Sequence, residues 1–398
     1  MAQAHERIPY PISRGEMERR WRLARERMKD ERLDALVMQG SANFVGLGGY
    51  YRWFTGVSTP GGHAFTLIFP RDALATVVTH GAFGGETTLD GKDAEYAGIG
   101  KRLTTAVFPG IAYTAGYDAE IVAREIARAG YRRVGMLGTM CMYHELASGI
   151  KNRLPQVEFV DATALVDPLR SIKSEEEIEF IRATAAMQDE TLAKTAAFIE
   201  PGMRDYEVCA YSQYVSNLLG SETGYFLAGS APPDKPALYR FRTAQGRRME
   251  KGDAFFWQAE NSGPGGYFVH IGRIFTLGKA PQSFVDAFGQ MVEAQSYTMD
   301  MVKPGAKPAE IFAEYQAYME RRGLPKEERL HCHGQGYETV ERPLIRHDET
   351  MDVAANMNIG CHPGYVNRTT FMTVCDNFLI GRNGAERLHK TPQTIIEL

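Results

Sequence analysis

The 398-residue sequence has no run of eighteen apolar residues, so nothing in it reads as a transmembrane helix. It has no block of like charge either. With 45 basic and 49 acidic side chains and a net charge of −4, it offers no footprint for nucleic acid or an anionic membrane, and a small-molecule substrate is the expected partner. The opening stretch, MAQAHERIPYPISRGEMERRW, lacks an apolar signal-peptide core, which leads to the expectation of a cytoplasmic protein. Cysteine is scarce. The five present (Cys141, Cys209, Cys332, Cys361 and Cys375) are odd in number and show no CxxC spacing, which disfavours a disulfide framework or a structural zinc knuckle. Each cysteine is then core filler or part of a site.

What is present suits a globular enzyme. Hydrophobic residues make up 44% and the length is comfortable for two cores rather than one. Residues 1–166 alternate helix and strand signals: a charged amphipathic stretch to Arg32, then LDALVMQG, HAFTLIFP, ATVVT, the helical DAEIVAREIARAG and RRVGML. This predicts an α/β domain, with a second domain over 167–398.

In the second domain, Ser174 and Glu177 form a capping-box pattern before a helix whose apolar face runs through Ile178, Ile181, Ala185, Leu192 and Phe198. An internal repeat follows. Ile199-Glu200-Pro201-Gly202-Met203 separates two helices, and Val302-Lys303-Pro304-Gly305-Ala306 does the same before a helix over 309–321. Each half continues into a glycine-rich, β-branched and aromatic strand region, 254–277 and 357–380. Two such units predict an α+β domain with a pseudo-twofold axis and a site between its halves.

The words in these regions carry a resemblance. LVDPLRSIKSEEEIEFIR (165–182), MEKGD, GGYFVHIGRIFTLG (265–278), HCHGQGYETVERPL (331–344), HPGYV and FMTVCDNFLIGRNGAERL (371–388) resemble, in order and spacing, the pita-bread superfamily of creatinase, prolidase and methionine aminopeptidase. The resemblance covers essentially the whole chain. It implies a creatinase-like N-terminal domain, a pita-bread catalytic domain and a homodimer. It also implies a pocket in which two aspartates, a histidine and two glutamates hold two divalent cations that supply a hydroxide nucleophile.

This chain departs from that ligand set almost everywhere. The first aspartate position falls at Gln258 to Glu260, the second at His270, and the glutamates at His362 and Cys375. Only the histidine, His333, is kept. Two helper histidines align with Ala237 and Val340. A standard dimetal peptidase would be disabled. Drift rarely yields donors, however: two histidines and a cysteine at three chosen positions is roughly a one-in-ten-thousand accident.

Two chemistries use the same residues. Glu260, His270, His333, His362 and Cys375 are softer donors as a set and suit one transition metal, zinc or iron. The creatinase-like alternative is metal-free, with His333, His270 or His362 as acid and base, since clustered imidazoles depress one another's pKa. Glu341 is the further acid–base candidate, against a salt-bridged supporting role. Arg273 either braces the pocket or contacts substrate; Tyr239 and Arg240 lie on the loop that lost its histidine and are candidates for reading an anionic group. Arg52 and Trp53, in GYYRWFTG, resemble the segment that covers a pocket from a partner subunit, or else form a packed aromatic turn. His331, Cys332 and Cys361 are expected to point away from the site. The resulting expectation is a creatinase-like hydrolase that cleaves a C–N or C–heteroatom bond in a small polar substrate. The alternatives are a lyase resembling the pita-bread dimethylsulfoniopropionate lyase and a catalytically inactive binding module.

Overall fold

In a computed structural model, residues 11–41, 48–59, 62–93 and 95–398 are described, and the chain divides into two compact units, Met1–Arg170 and Ser171–Leu398. The first unit is built on seven strands: β1 (Ala35–Ser41), β2 (Ala64–Pro70), β3 (Ala75–His80), β4 (Gly85–Thr88), β5 (Ile99–Thr105), β6 (Arg133–Leu137) and β7 (Glu158–Asp161). They form one mixed sheet in the order β4-β5-β3-β2-β1-β6-β7. Its helices are α1 (Arg14–Asp30), α2 (Gly49–Thr55), α3 (Tyr117–Ala129), α4 (His144–Arg153) and α5 (Thr163–Ser171). Val37, Ile68, Val78, Val134 and Met136 from the sheet meet Val122 and Ile126 of α3 and Leu146 and Ile150 of α4 in one buried cluster. The linker-like LVDPLRS stretch is helical, as α5.

The second unit repeats one plan twice. The first half runs α6 (Glu175–Phe198), α7 (Asp205–Leu218), β8 (Thr223–Ala231), β9 (Ala254–Ser262) and β10 (Phe268–Thr276). The second runs α8 (Gln282–Met301), α9 (Pro308–Arg321), β11 (Cys332–Gly334), β12 (Glu341–Leu344), β13 (Asn358–Cys361), β14 (Gly364–Val366), β15 (Phe371–Thr373), β16 (Asp376–Ile380), β17 (Ala385–Arg387) and β18 (Ile396–Glu397). Helix α6 starts at the expected capping box. Ser174 Oγ accepts from Glu177 N–H at 3.3 Å, and Glu177 Oε2 accepts from Ser174 N–H at 2.7 Å. A cap of this kind contributes about 1 kcal/mol. The paired Pro-Gly loops turn through Gly202 and Gly305, both at positive φ (98° and 86°), which glycine adopts without a Cβ penalty.

The strands form two main sheets, β18-β10-β9-β8 and β12-β11-β13-β16-β17. Leu192 and Val208 of α6 and α7 pack on Phe255, Trp257, Ile271 and Phe275 of the first sheet. Met299 and Ile311 of α8 and α9 pack on Ile359, Cys361 and Ile380 of the second. The sheets meet at a backbone bridge in which Gly272 N–H donates to Cys375 O at 3.0 Å and Cys375 N–H returns to Gly272 O at 3.3 Å, and Phe268 N–H donates to Gly336 O at 2.7 Å. A Cβ on Gly272 would sit 3.0 Å from Cys375 Cβ, so the close approach suits glycine there. Among the described residues, no helix is long and apolar enough to cross a membrane.

Candidate active site

Strands β10, β11 and β13, or their immediate ends, bring three imidazoles together inside the second unit. Ring centroids of His270, His333 and His362 are 5.3, 5.1 and 5.2 Å apart for the three pairs 270–333, 270–362 and 333–362. One nitrogen from each lies within 4.8 Å of the others. His270 and His333 are buried, and His362 keeps one partly accessible edge.

Burial holds all three neutral. The His333 pKa is pushed down to about 4, mainly by desolvation. His270 is held well below the usual imidazole range by burial and then by His333 and His389; His362 is lowered likewise by burial, then by His270, His333 and Arg329. Neutral imidazole is the form that coordinates metal or accepts a proton. The His333 tautomer is fixed as well. Its Nδ1 lies 2.9 Å from Gly334 O, which can only accept, so the proton sits on Nδ1 and the Nε2 lone pair is free.

A polar frame holds the rings. Asn377 Oδ1 accepts from His270 N–H at 2.9 Å, and Asn377 Nδ2 donates to Gln335 Oε1 and Asn358 Oδ1, both at 2.8 Å. Gln335 Nε2 donates to Thr339 O at 2.8 Å and lies 3.4 Å from His270 Nδ1. Behind Asn377, its N–H donates to His389 Nδ1 (3.3 Å), and His389 Nε2–H reaches Gln188 Oε1 (3.1 Å). Sequence reasoning missed this frame. The available signal was a glutamine inside the HGQG words and asparagines within otherwise apolar strand runs.

The five-donor set contracts to three. Glu260 pairs across the sheet with His270, and its Oε1 is 4.0 Å from His270 Nδ1, outside the imidazole cluster. Tyr225 Oη donates to Glu260 Oε2 at 2.7 Å, and burial raises the Glu260 carboxyl to about 7 despite that bond. Cys375 also lies outside the cluster. Its Sγ is 3.8 Å from His270 O, and burial, followed by the charges of Asp376 and Glu260, holds the thiol well above its usual pKa. The bridge to Gly272 ties down its backbone, and the protonated thiol fills space below that glycine.

Other candidates named from the sequence have structural partners. Arg273 is a brace: fully buried, it donates to Asp376 Oδ1 (2.8 Å), Cys375 O (3.0 Å), Pro392 O (3.0 Å) and Thr391 O (3.1 Å), which leaves no edge for substrate. Glu341 is likewise supporting. Its Oε2 meets Lys173 Nζ at 3.0 Å, both side chains buried, and its Oε1 accepts from Tyr337 N–H at 2.9 Å. Trp53 is core. It is 1% exposed, lies edge-on to Phe54 and sits under the Arg20 guanidinium. The GYYRWFTG run is a packed helix, α2, in which Arg52 is half-buried. Tyr239 stands at the site's edge, its ring 6.0 Å from Phe256 and 5.9 Å from Phe371, whereas the exposed Arg240 acts on Asp205. Cys332 and Cys361 face the core as expected; His331 stacks on Tyr315 at 3.7 Å.

The residues do not fit a carboxylate-bridged pair of hard cations. They fit one borderline ion. With metal–nitrogen bonds of about 2.0–2.1 Å, a tetrahedral spread of three imidazoles places ring centroids on the order of 5 Å apart. The observed centroids already match, so closure on an ion needs ring rotation rather than strand movement. Among the described residues, the buried His270 Nε2 has no hydrogen-bond partner, which leaves its lone pair open to an ion. At the helper-histidine positions, Ala237 is packed in the core and Val340 is exposed.

A profile of metallopeptidase family M24 matches residues 179–385, and one of the creatinase/prolidase N-terminal domain matches 20–172. A Xaa-Pro dipeptidase of Pyrococcus furiosus is 27% identical over 271 residues, covering 66% of this chain and 75% of that protein. An ectoine hydrolase of Halomonas elongata is 26% identical over 186 residues, covering 44% and 45% respectively. The crystal structure of an X-Pro aminopeptidase from Thermotoga maritima superposes with a TM-score of 0.78 at 16% identity, covering 96% of this chain and 99% of the other.

Proposed function

The chain belongs to metallopeptidase family M24, and from that membership and its three convergent imidazoles we propose that it is a hydrolase of a C–N bond in a small polar substrate, with one transition-metal ion held by His270, His333 and His362. The observation that carries the reading is the trio itself: three neutral imidazoles, two of them fully buried, with ring centroids spaced for one ion. Zinc or iron suits such a nitrogen-only set. A divalent ion held there would supply Lewis acidity and would lower the pKa of bound water toward neutrality.

The chain's own residues divide the remaining work. Gln335, Asn358 and Asn377 fix the strands that present the rings. Glu260 is the carboxyl nearest the trio, and we assign it the proton-transfer role that ion-paired Glu341 is badly placed to fill. Relatives named as Xaa-Pro dipeptidase and ectoine hydrolase support hydrolysis over lysis as the reaction class.

The metal-free reading keeps one observation in its favour: His333, with Nδ1–H fixed by Gly334 O, presents an unprotonated Nε2 without any ion. Elemental analysis of protein from metal-defined medium separates the two. One equivalent of transition metal in the wild type, retained in Cys375→Ser and lost in His333→Ala and His362→Ala, is the expected result. Full turnover of a small-amide panel in chelator, with metal far below one equivalent, would overturn it in favour of the metal-free hydrolase.

A further inference from the structure

Cys332 of β11 and Cys361 of β13 stand directly opposite each other in one antiparallel ladder. The hydrogen bonds on either side fix the kind of pair they make. His362 N–H donates to His331 O at 2.7 Å, and Gln335 N–H donates to Asn358 O at 2.9 Å. The bonded pairs are therefore 331–362 and 335–358, and by alternation 333–360, which leaves Cys332 and Cys361 as a pair with no hydrogen bond between their backbones. Their carbonyls are engaged elsewhere: Cys332 O accepts from Ile345 N–H at 2.9 Å and Cys361 O from Gln295 Nε2 at 2.8 Å. In such a pair the Cα atoms lie about 4.5 Å apart and both side chains leave the sheet on one face, within the span a disulfide bridges.

Both thiols are free and fully buried, packed with Met299, Ile311, Ile359 and Ile380. Burial, and then the Cys332 thiol beside it, holds the Cys361 thiol well above its usual pKa. A bulky disulfide cannot reach this pair, whereas a small neutral oxidant can. A histidine of the imidazole cluster follows each cysteine directly, His333 after Cys332 and His362 after Cys361. Successive side chains of a strand take opposite faces, so the imidazoles stand on the far face of the same two strands. A disulfide brings facing Cβ atoms to about 3.8 Å, against about 4.5–5.5 Å in an unlinked pair. Closing it draws the cysteine face together by on the order of 1 Å and splays the other, where the His333 and His362 rings are 5.2 Å apart.

We propose that Cys332 and Cys361 are an oxidisable dithiol, a reversible disulfide site whose closure resets the spacing of His333 and His362. The oxidant is a small hydroperoxide. One sulfur, as its thiolate, attacks a peroxide oxygen, breaks the O–O bond and becomes a sulfenic acid as the other oxygen leaves as water. The second sulfur then displaces the sulfenic hydroxyl as water and forms the S–S bond. Two thiols thus give up two hydrogens and two electrons, and one hydrogen peroxide is reduced to two waters. A dithiol reductant reverses the change by exchange. The inference needs neither a bound ion nor a known substrate.

The test is treatment of the folded full-length protein with hydrogen peroxide, alkylation of the remaining thiols and peptic mapping at low pH. A peptide pair joined through Cys332 and Cys361 and released by dithiothreitol is the expected result. Absence of that link under conditions that oxidise the half-buried Cys141, or a link from Cys361 to Cys375 in its place, overturns the site. In protein labelled with 13C-histidine, the ring signals of His333 and His362 are expected to move on oxidation and to return on reduction. Cys332→Ala treated likewise should show neither link nor movement, and Cys361→Ala serves if that variant fails to fold. A link that forms while both ring signals stay in place overturns the coupling to the imidazoles. Because the link and the signals are both read in the wild type, the outcome does not depend on either variant.

Discussion

Gly360 is a glycine because His270 occupies the space its side chain would take: a Cβ there would lie 2.1 Å from His270 Nε2. The two residues come from different sheets, β13 and β10. Gly360→Ala therefore has to push the imidazole away or part the sheets. Overpacking of this kind costs about 1–3 kcal/mol. A lower unfolding midpoint together with loss of bound metal is expected, and unchanged metal stoichiometry in Gly360→Ala would show that His270 is not a ligand.

Lys173 and Glu341 form a buried pair, so removing one partner strands the other's charge. Lys173→Met is expected to lower stability by about 3–5 kcal/mol, measured by urea unfolding. The double variant Lys173→Met/Glu341→Gln should recover part of that loss, because no charge is left uncompensated. Turnover per folded molecule should survive in the double variant. A collapse of kcat with stability restored would return Glu341 to the chemistry.

Stability should fall steeply in acid. His333 and His389 are lowered to about 4 and His331 to about 3, chiefly by burial, and His270 and His362 are held well below the usual imidazole range. Each imidazole stays neutral when folded and takes up a proton on unfolding, so the stability present above the unfolded value near 6.5 is lost as pH drops through 6.5 toward the folded values. Asp118, raised to about 6, and Glu260, raised to about 7, act the other way, because the folded state holds their protons more tightly. More imidazoles are lowered than carboxyls raised, so the unfolded state binds more protons in mild acid and stability falls as pH drops below about 6.5. Urea unfolding at pH 7.5, 6 and 5 measures the slope. A flat profile would mean that these imidazoles are solvated.

Peptide hydrolysis of the dimetal type is not expected. Xaa-Pro dipeptides and N-terminal methionine should go uncleaved even with added manganese or cobalt, because the family resemblance aligns His270, His362 and Cys375 with carboxylate ligands and Ala237 and Val340 with helper histidines. Robust turnover of either substrate would undo the assignment of these positions.

The sequence by itself determined what depends on neighbours along the chain. The capping box of Ser174 and Glu177, the Pro-Gly turns at Gly202 and Gly305 and the strand runs could all be read because their causes lie within a few residues of each other. Which donors converge was decided only by tertiary structure. Strand alternation assigns a face to Cys375 or Glu260, but not the distance across two sheets, and that distance excludes both from the imidazole cluster. Partners far apart in sequence decided the rest. Glu341 meets Lys173 across 168 residues, His389 meets Gln188 across 201, and Arg273 meets Asp376 across 103. A buried charge or amide must be satisfied by whatever the fold places beside it, and the period of a strand carries no record of that neighbour.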